Sequence, residues 1–376
     1  MSGPPVIGVA GLGAMGLGIA QLFAQAGHPV VATDSQASAR ESALPRLASQ
    51  LDARVAQGKL SAAERGQILS RVTIADDLAA FAPAALVIEA IIEQLQAKQA
   101  LFAALENVVG QTCVLASNTS SLSISAITQN LRHRERGLGL HFFNPVPSMK
   151  LVELVATAAT SNNALQTARS FTEAAGKTVI SCADTPGFIV NRCARPFYGE
   201  ALALLEEGRS ASDIDAAMLQ AGYRIGPLSL IDLVGADINL AATQSLSAAM
   251  EDHPRYHVFD VLKAQVASGR LGRKTGQGFL FPARPGPPPA DAASIAARIE
   301  ATLANEAASL LGQGGLAMDE IDTALKLGLN FPRGPFEAAR AQGFAAIRAT
   351  LAALEVAAPQ HLKGRYAVTA GLEHLS

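Results

Sequence analysis

The stretch Val6-Ile-Gly-Val-Ala-Gly11-Leu-Gly13-Ala-Met-Gly16 decides the fold, because a short apolar run passes straight into spaced glycines and then into a helical pattern (Ile19, Leu22, Phe23, Ala26) closed by Gly27. This reads as strand, turn and helix. Gly11 makes the tight turn, Gly13 lets backbone N–H groups approach a pyrophosphate, and Gly16 lets the helix pack closely on the strand. The helix N-terminus then offers orphan N–H groups and a positive dipole end to an anion. A second strand, Pro29-Val-Val-Ala-Thr-Asp34, follows and ends on a carboxylate. At that distance from the glycines an aspartate can accept hydrogen bonds from both ribose hydroxyls of an adenosine, which favours NAD over NADP. An aspartate after a strand is also an ordinary turn former. Nothing basic follows until Arg40, so a 2'-phosphate finds no counter-charge in the local sequence.

With 376 residues, 49% of them hydrophobic, the chain can bury a large core and is expected to form two or three domains. Its formal net charge is −2 and its basic residues are scattered, which argues against nucleic-acid or anionic-membrane partners and for a small molecule. Cys113, Cys182 and Cys193 show no metal-type spacing, so no zinc and no disulfide are expected, and the cytoplasm is the expected compartment.

Strand-like runs at Ala85–Ala90, Cys113–Ser117, Gly137–His141, Leu151–Val155 and Thr178–Ser181 alternate with helical ones, a doubly wound α/β pattern of Rossmann type. Between the second and third of the strands so identified lies a long insert, about Ser35 to Arg71, carrying Arg46, Arg54, Lys59, Arg65 and Arg71. It reads equally as an arm over a substrate or as a solvated helix pair. After Asp184-Thr-Pro186-Gly187 the alternation gives way to helix after helix, so residues 1–184 are expected to form the nucleotide-binding domain and 185–281 a helical one. Residues 282–291 contain Pro282, Pro285 and Pro287 to Pro289 and read as a semi-rigid linker, leaving 292–376 as a second helical unit. The two helical units resemble each other. Glu200, Ile214-Asp215 and Gly226-Pro227 recur as Glu306, Ile321-Asp322 and Gly334-Pro335. Two such copies could pair within one chain as a symmetric interface pairs two chains, leaving monomer and homodimer both open.

His141-Phe-Phe-Asn144-Pro145 puts an imidazole at the end of a strand, where ligands of open α/β sheets bind. Imidazole suits proton transfer near neutral pH, and a carboxylate partner would hold one tautomer. Glu153 is the candidate partner, since the Asn-Pro-Val-Pro turn can bring the chain back alongside His141; a glutamate on a strand is otherwise its solvent face. Ser117-Asn-Thr-Ser120-Ser121 can hydrogen-bond a substrate oxygen or cap the helix starting near Ser123. Asn191, read as mid-helix, says little alone.

Taken together, the Gly11–Gly16 turn, Glu89-Ala-Ile-Ile-Glu93 with Lys98, Ser117–Leu122, His141–Pro147, Lys150–Glu153, Asp184–Arg192 and Gly272-Arg-Lys-Thr-Gly-Gln-Gly-Phe279 resemble the L-3-hydroxyacyl-CoA dehydrogenase family, which includes the 3-hydroxybutyryl-CoA dehydrogenases. The resemblance is strong from residue 6 to about 281 and continues more weakly, through the repeat, to about 350. It implies that His141 is the catalytic base, Glu153 its orienting carboxylate, and Ser120 and Asn191 the groups that hold the reacting oxygen. It also implies that Gly11, Gly13, Ala14, Met15, Gly16, Asp34, Glu93, Lys98 and Asn118 meet NAD, with Glu93 and Lys98 near the nicotinamide and its ribose. The implied reaction is hydride transfer between nicotinamide C4 and C3 of an acyl-CoA thioester, without a metal. The equivalent of Asn191 in the second helical copy falls near Ala297, with no Pro-Gly-Phe before it, so that copy is expected to be structural.

Leu12 departs from the commoner Gly-Ala-Gly turn and is similar to the 3-hydroxyisobutyrate and 6-phosphogluconate dehydrogenases. Those use a lysine in a following helix, whereas Lys177 precedes a strand and the next lysine is Lys263. Two other rivals are a dehydrogenase of a free hydroxy acid, like the gulonate dehydrogenases related to lambda-crystallin, and a cofactor-binding protein without catalysis. The basic arm favours a CoA ester. Gly272–Phe279 has no readable role beyond a glycine-rich turn.

Overall fold

The computed structural model describes residues 3–311, 313 and 316–376. Two compact units divide the chain, Met1–Thr185 and Pro186–Ser376.

The first unit is built on β1 (Val6–Ala10), β2 (Val30–Thr33), β3 (Val72–Ile74), β4 (Ala84–Glu89), β5 (Val114–Ser117), β6 (Gly137–Phe142), β7 (Leu151–Ala156) and β8 (Thr178–Ala183), in the sheet order β3-β2-β1-β4-β5-β6-β7-β8. Neighbours are parallel throughout except β6 and β7, which run antiparallel. A parallel return needs a crossover of about a dozen residues. The link from Phe142 to Leu151 is shorter and carries Pro145 and Pro147, so the chain can only turn back. The central strands are buried on both faces, which is why β1 and β4 read as continuous apolar runs instead of alternating.

Helices α1 (Ala14–Gln25), α2 (Ala37–Ala56), α3 (Ala62–Ser70), α4 (Leu95–Glu106), α5 (Ile124–Thr128) and α6 (Asn162–Ala174) flank the sheet. Ile19, Leu22 and Phe23 are buried as their spacing predicts, while Ala26 only caps α1 and is exposed. The insert is the pair α2 and α3, the latter started by a capping box between Ser61 and Glu64.

The second unit holds α7 (Val190–Glu206), α8 (Ala211–Gln220), α9 (Pro227–Val234), α10 (Ala236–Ala249), α11 (Asp260–Ala267), α12 (Ala292–Leu311), α13 (Met318–Leu329), α14 (Pro335–Gln342), α15 (Phe344–Ala357) and α16 (Ala370–Glu373). The repeat has a physical reason. Asp215 accepts the N–H groups of Leu228 and Ser229 at the start of α9, and Asp322 accepts those of Phe336 and Glu337 at the start of α14. A Cβ at Gly226 or Gly334 would lie 2.2 Å from the respective aspartate, so each Gly-Pro pair opens a helix onto a buried carboxylate.

The two copies face each other through α7 and α12 and exchange ion pairs: Arg192 Nε meets Glu306 at 2.6 Å, and Arg298 Nε meets Glu200 at 2.6 Å. Tyr256 and Tyr366 donate their hydroxyls to Glu306 and Glu200 at 2.7 and 2.9 Å. Gly272–Phe279 also finds a role here, since the Asp232 carboxylate accepts the N–H groups of Phe279, Leu280 and Phe281, and a Cβ at Gly278 would meet that carboxylate at 2.0 Å.

Candidate active site

The glycine turn fits a dinucleotide. Gly11 has φ +105°, and a Cβ at Gly16 would stand 1.9 Å from the Gly11 carbonyl oxygen, so α1 can begin this close to β1 only on glycine. Around Gly13, the N-cap of α1, a Cβ would meet nothing within 4 Å, which leaves the helix N-terminus, with Ala14 and Met15, open to an anion. Beside it lies a cavity of about 1140 Å³ lined by Gly11, Leu12, Gly13 and Asp34 on one side and by Ile91, Ile92 and Leu101 on the other. The Asp34 carboxylate accepts the N–H groups of Leu12 at 2.8 Å and Gln36 at 2.9 Å.

At this rim Arg40, the first basic residue after Asp34, and Arg46 are carried by α2 back over the strand end. Arg40 donates to the Asp34 carbonyl at 2.7 Å, and Arg46 donates to the Leu12 carbonyl at 2.6 Å and lines the cavity. Both guanidiniums are thereby engaged by backbone oxygens.

Across β1 from Asp34, the ends of β4 and β5 carry a buried polar network. Glu89 and Lys98 have side chains 0% and 1% exposed and meet at 2.5 Å. Glu89 also accepts the Ser117 hydroxyl at 2.5 Å, from the residue paired with it in register, and the Ile91 N–H at 2.8 Å. Lys98 reaches Glu93 at 3.1 Å, and Glu93 accepts the hydroxyls of Thr119 and Ser121 and the N–H of Ser120. Burial works to raise the Glu93 pKa, but these hydroxyls and the Lys98 charge hold it below the ordinary value. Ser117, Thr119 and Ser121 were legible only as a hydroxyl-rich segment, because cross-strand register is not written in local sequence.

His141 and Glu153 are directly opposite each other on β6 and β7, and His141 Nδ1 lies 2.6 Å from Glu153 Oε2. The glutamate is fully buried and the imidazole nearly so. Antiparallel pairing across the short Pro-rich link puts both side chains on the same face. Asn118 accepts the Phe142 N–H at 2.9 Å and so ties the end of β5 to the strand of His141. The link itself is held by Lys177, whose ammonium donates to the carbonyls of Val146 and Met149 at 2.5 and 2.6 Å. In the sequence Lys177 stands out only as a lysine wrongly placed for a rival family. Asn191 belongs to the second unit and lies in the first turn of α7, not mid-helix, after a Pro-Gly-Phe turn in which Gly187 and Phe188 have φ +75° and +49°.

The basic arm forms a second hollow of about 360 Å³, where Gln50, Arg54 and Lys59 face Asn144 to Ser148. Among the described residues, no group of three or more His, Cys, Asp or Glu could hold a metal ion, and no helix is long and apolar enough to cross a membrane.

A doubly wound sheet with a glycine turn that leaves a helix N-terminus open, a carboxylate at the end of the second strand and a helical second unit is the build of an NAD-dependent oxidoreductase. Residues 6–185 match the 3-hydroxyacyl-CoA dehydrogenase NAD binding domain, and residues 187–281 and 295–372 match the C-terminal domain of the same family. The chain belongs to the 3-hydroxyacyl-CoA dehydrogenase family, and its cofactor is NAD. It is 44% identical over 274 residues to the 3-hydroxyadipyl-CoA dehydrogenase of Escherichia coli (strain K12), a match spanning 72% of this chain and 58% of that protein. The human mitochondrial hydroxyacyl-coenzyme A dehydrogenase is 39% identical over 280 residues, covering 72% of this chain and 89% of that one. The crystal structure of 3-hydroxybutyryl-CoA dehydrogenase from Escherichia coli K12 substr. MG1655 superposes with a TM-score of 0.91 at 32% identity, over 99% of this chain and 98% of the other.

Proposed function

We propose that His141 is the general base in oxidation of an L-3-hydroxyacyl-CoA thioester and, once protonated, the general acid in the reverse reduction. The observation that carries this reading is the His141–Glu153 pair, 2.6 Å apart on register partners of a buried strand pair. Glu153 accepts the Nδ1–H, which leaves the lone pair on Nε2 for the hydroxyl proton and stabilises the imidazolium that forms. Ser120 and Asn191 are assigned to the reacting oxygen, where hydrogen bonds position it and offset developing charge. Bound NAD supplies the hydride acceptor at nicotinamide C4.

In this reading Gly11, Gly13, Ala14, Met15 and Gly16 hold the pyrophosphate, Asp34 the adenosine ribose, and Glu93, Lys98 and Asn118 the nicotinamide half. Arg54 and Lys59, which line the smaller hollow, are assigned to the phosphates of coenzyme A. The functional domains run 1–184, 185–281 and 292–376 with a linker at 282–291. The second copy serves as the packing partner of the first, which favours a monomer; light scattering that returns twice the chain mass would replace this with a homodimer. We assign the chain to the cytoplasm, a reducing compartment in which cysteines such as the buried Cys113, Cys182 and Cys193 stay thiols.

The test is oxidation of NADH by the purified chain with acetoacetyl-CoA, beside NADPH and beside free acetoacetate. Turnover with NADH and the thioester alone is expected. Turnover of the free acid, with the thioester inert, would move the assignment to a hydroxy-acid dehydrogenase.

A further inference from the structure

The cofactor's course over the sheet can be followed from its fixed points. Asp34 stands at the end of β2 and the glycine turn between β1 and α1, so a dinucleotide laid across strands spaced about 4.8 Å apart places its second nucleotide over β4 and β5. That edge is where Glu89, Glu93 and Lys98 gather. Two carboxylates share one ammonium there. Their sum is one negative charge, and Glu93, with a side chain 39% exposed, presents it outward while Glu89 and Lys98 stay buried.

The oxidised nicotinamide carries a positive charge and the reduced ring is neutral. From this we infer that Glu89 is a positioning residue that sets the protein's preference between the two cofactor forms: by binding Lys98 it leaves Glu93 under-neutralised and facing the nicotinamide half, which favours NAD⁺ over NADH. Without Glu89, the Lys98 ammonium would neutralise Glu93 and the edge would be uncharged. The inference rests on the placement of the nicotinamide half over β4 and β5. Glu89 also orders the edge, since it ties the Ile91 N–H and the Ser117 hydroxyl, and Ser117 Oγ in turn accepts the Thr119 N–H at 3.3 Å. A purely structural role would therefore weaken both cofactor forms alike, whereas a charge role separates them.

The experiment measures Kd for NAD⁺ and for NADH by titration on the full chain, for the wild type, Glu89→Gln and Glu93→Gln. Glutamine keeps the shape of the side chain and removes one negative charge. In both variants the ratio of Kd for NAD⁺ to Kd for NADH is expected to rise about three- to tenfold, carried by weaker NAD⁺ binding, as for a unit charge at partly screened short range. Equal weakening of both forms by Glu89→Gln, with the ratio shifted only by Glu93→Gln, overturns the role of Glu89 and keeps the placement. No change of either Kd in either variant removes the placement and the inference with it. Should Glu89→Gln fail to fold, Lys98→Met tests the same sharing from the other side: a ratio that falls, because Glu89 and Glu93 then stand without their ammonium, supports the shared charge, and an unchanged ratio overturns it.

Discussion

The backbone N–H of Leu12 donates to the Asp34 carboxylate at 2.8 Å, so the residue proposed to read the ribose also fastens the glycine turn proposed to hold the pyrophosphate. In that proposal the two halves of the adenosine diphosphate site are coupled. Asp34→Ala is expected to weaken NADH binding about ten- to a hundredfold, the value of one to two charge-assisted hydrogen bonds. Because Arg40 and Arg46 stand at the same rim, the variant should also narrow the preference for NADH over NADPH. Fluorescence titration with both reduced cofactors measures this; an unchanged NADH affinity would remove Asp34 from the ribose site.

His141→Ala should lower kcat about a hundred- to ten-thousandfold, the usual weight of general acid–base catalysis, while NADH still binds. Glu153→Gln keeps the shape of the pair but cannot stabilise an imidazolium, so a smaller loss of kcat with little change in cofactor affinity is expected. Single-turnover kinetics with acetoacetyl-CoA and NADH separate chemistry from binding. Substantial turnover by His141→Ala would refute the proposed base.

The features legible in the sequence were those encoded locally. The strand–glycine–helix signal of Val6–Gly16, the apolar strands and the helical repeat all depend on spacing within one segment. The three-residue edge strand β3, half-exposed and interrupted by Thr73, has too little pattern to show. The His141–Glu153 pairing could be guessed because the turn between them is short. The Glu89–Lys98–Ser117 network could not, since it depends on the register of two strands separated by a helix. In the same way the recurrence of Glu200 and Glu306 was visible, but not that each is neutralised by an arginine of the other copy.

Glu106 makes the acid limb of stability a prediction. Burial works to raise its pKa, but the N–H groups of Arg132 and His133 and the Arg132 and Arg136 guanidiniums outweigh that and hold it at about 2. Folded, the carboxyl thus binds its proton less readily than in the unfolded chain. Its stabilisation is fully present above the ordinary carboxylate range and is lost as pH falls from about 4.5 towards 2. Glu106→Gln should cost about 1–3 kcal/mol at pH 7, with the gap to wild type closing through that window. Calorimetric Tm values at pH 7, 5, 4 and 3 provide the comparison, and a gap constant across the series would show that Glu106 is not the linked group.

The crossed ion pairs of the helical copies bear on why the chain carries a second copy without an equivalent of Asn191. Glu200 and Glu306 are fully buried, and each takes an arginine from the facing helix. Removing one member of a buried pair leaves an uncompensated charge, at a cost of about 3–5 kcal/mol. Arg298→Met should therefore destabilise the second unit by about this amount, less whatever Arg365, at 3.2 Å from Glu200, recovers. Adding Glu200→Gln to it should deepen the loss, because the buried Arg365 guanidinium then loses its carboxylate as well. The readout is built in. All four tyrosines, Tyr198, Tyr223, Tyr256 and Tyr366, lie in the second unit and the chain has no tryptophan, so tyrosine fluorescence during urea unfolding reports this unit alone. If Arg298→Met shifts that transition while the far-ultraviolet signal of the sheet-bearing unit persists to higher urea, the second copy acts as a packing partner; coincident loss of both signals would instead tie the stability of the two units together.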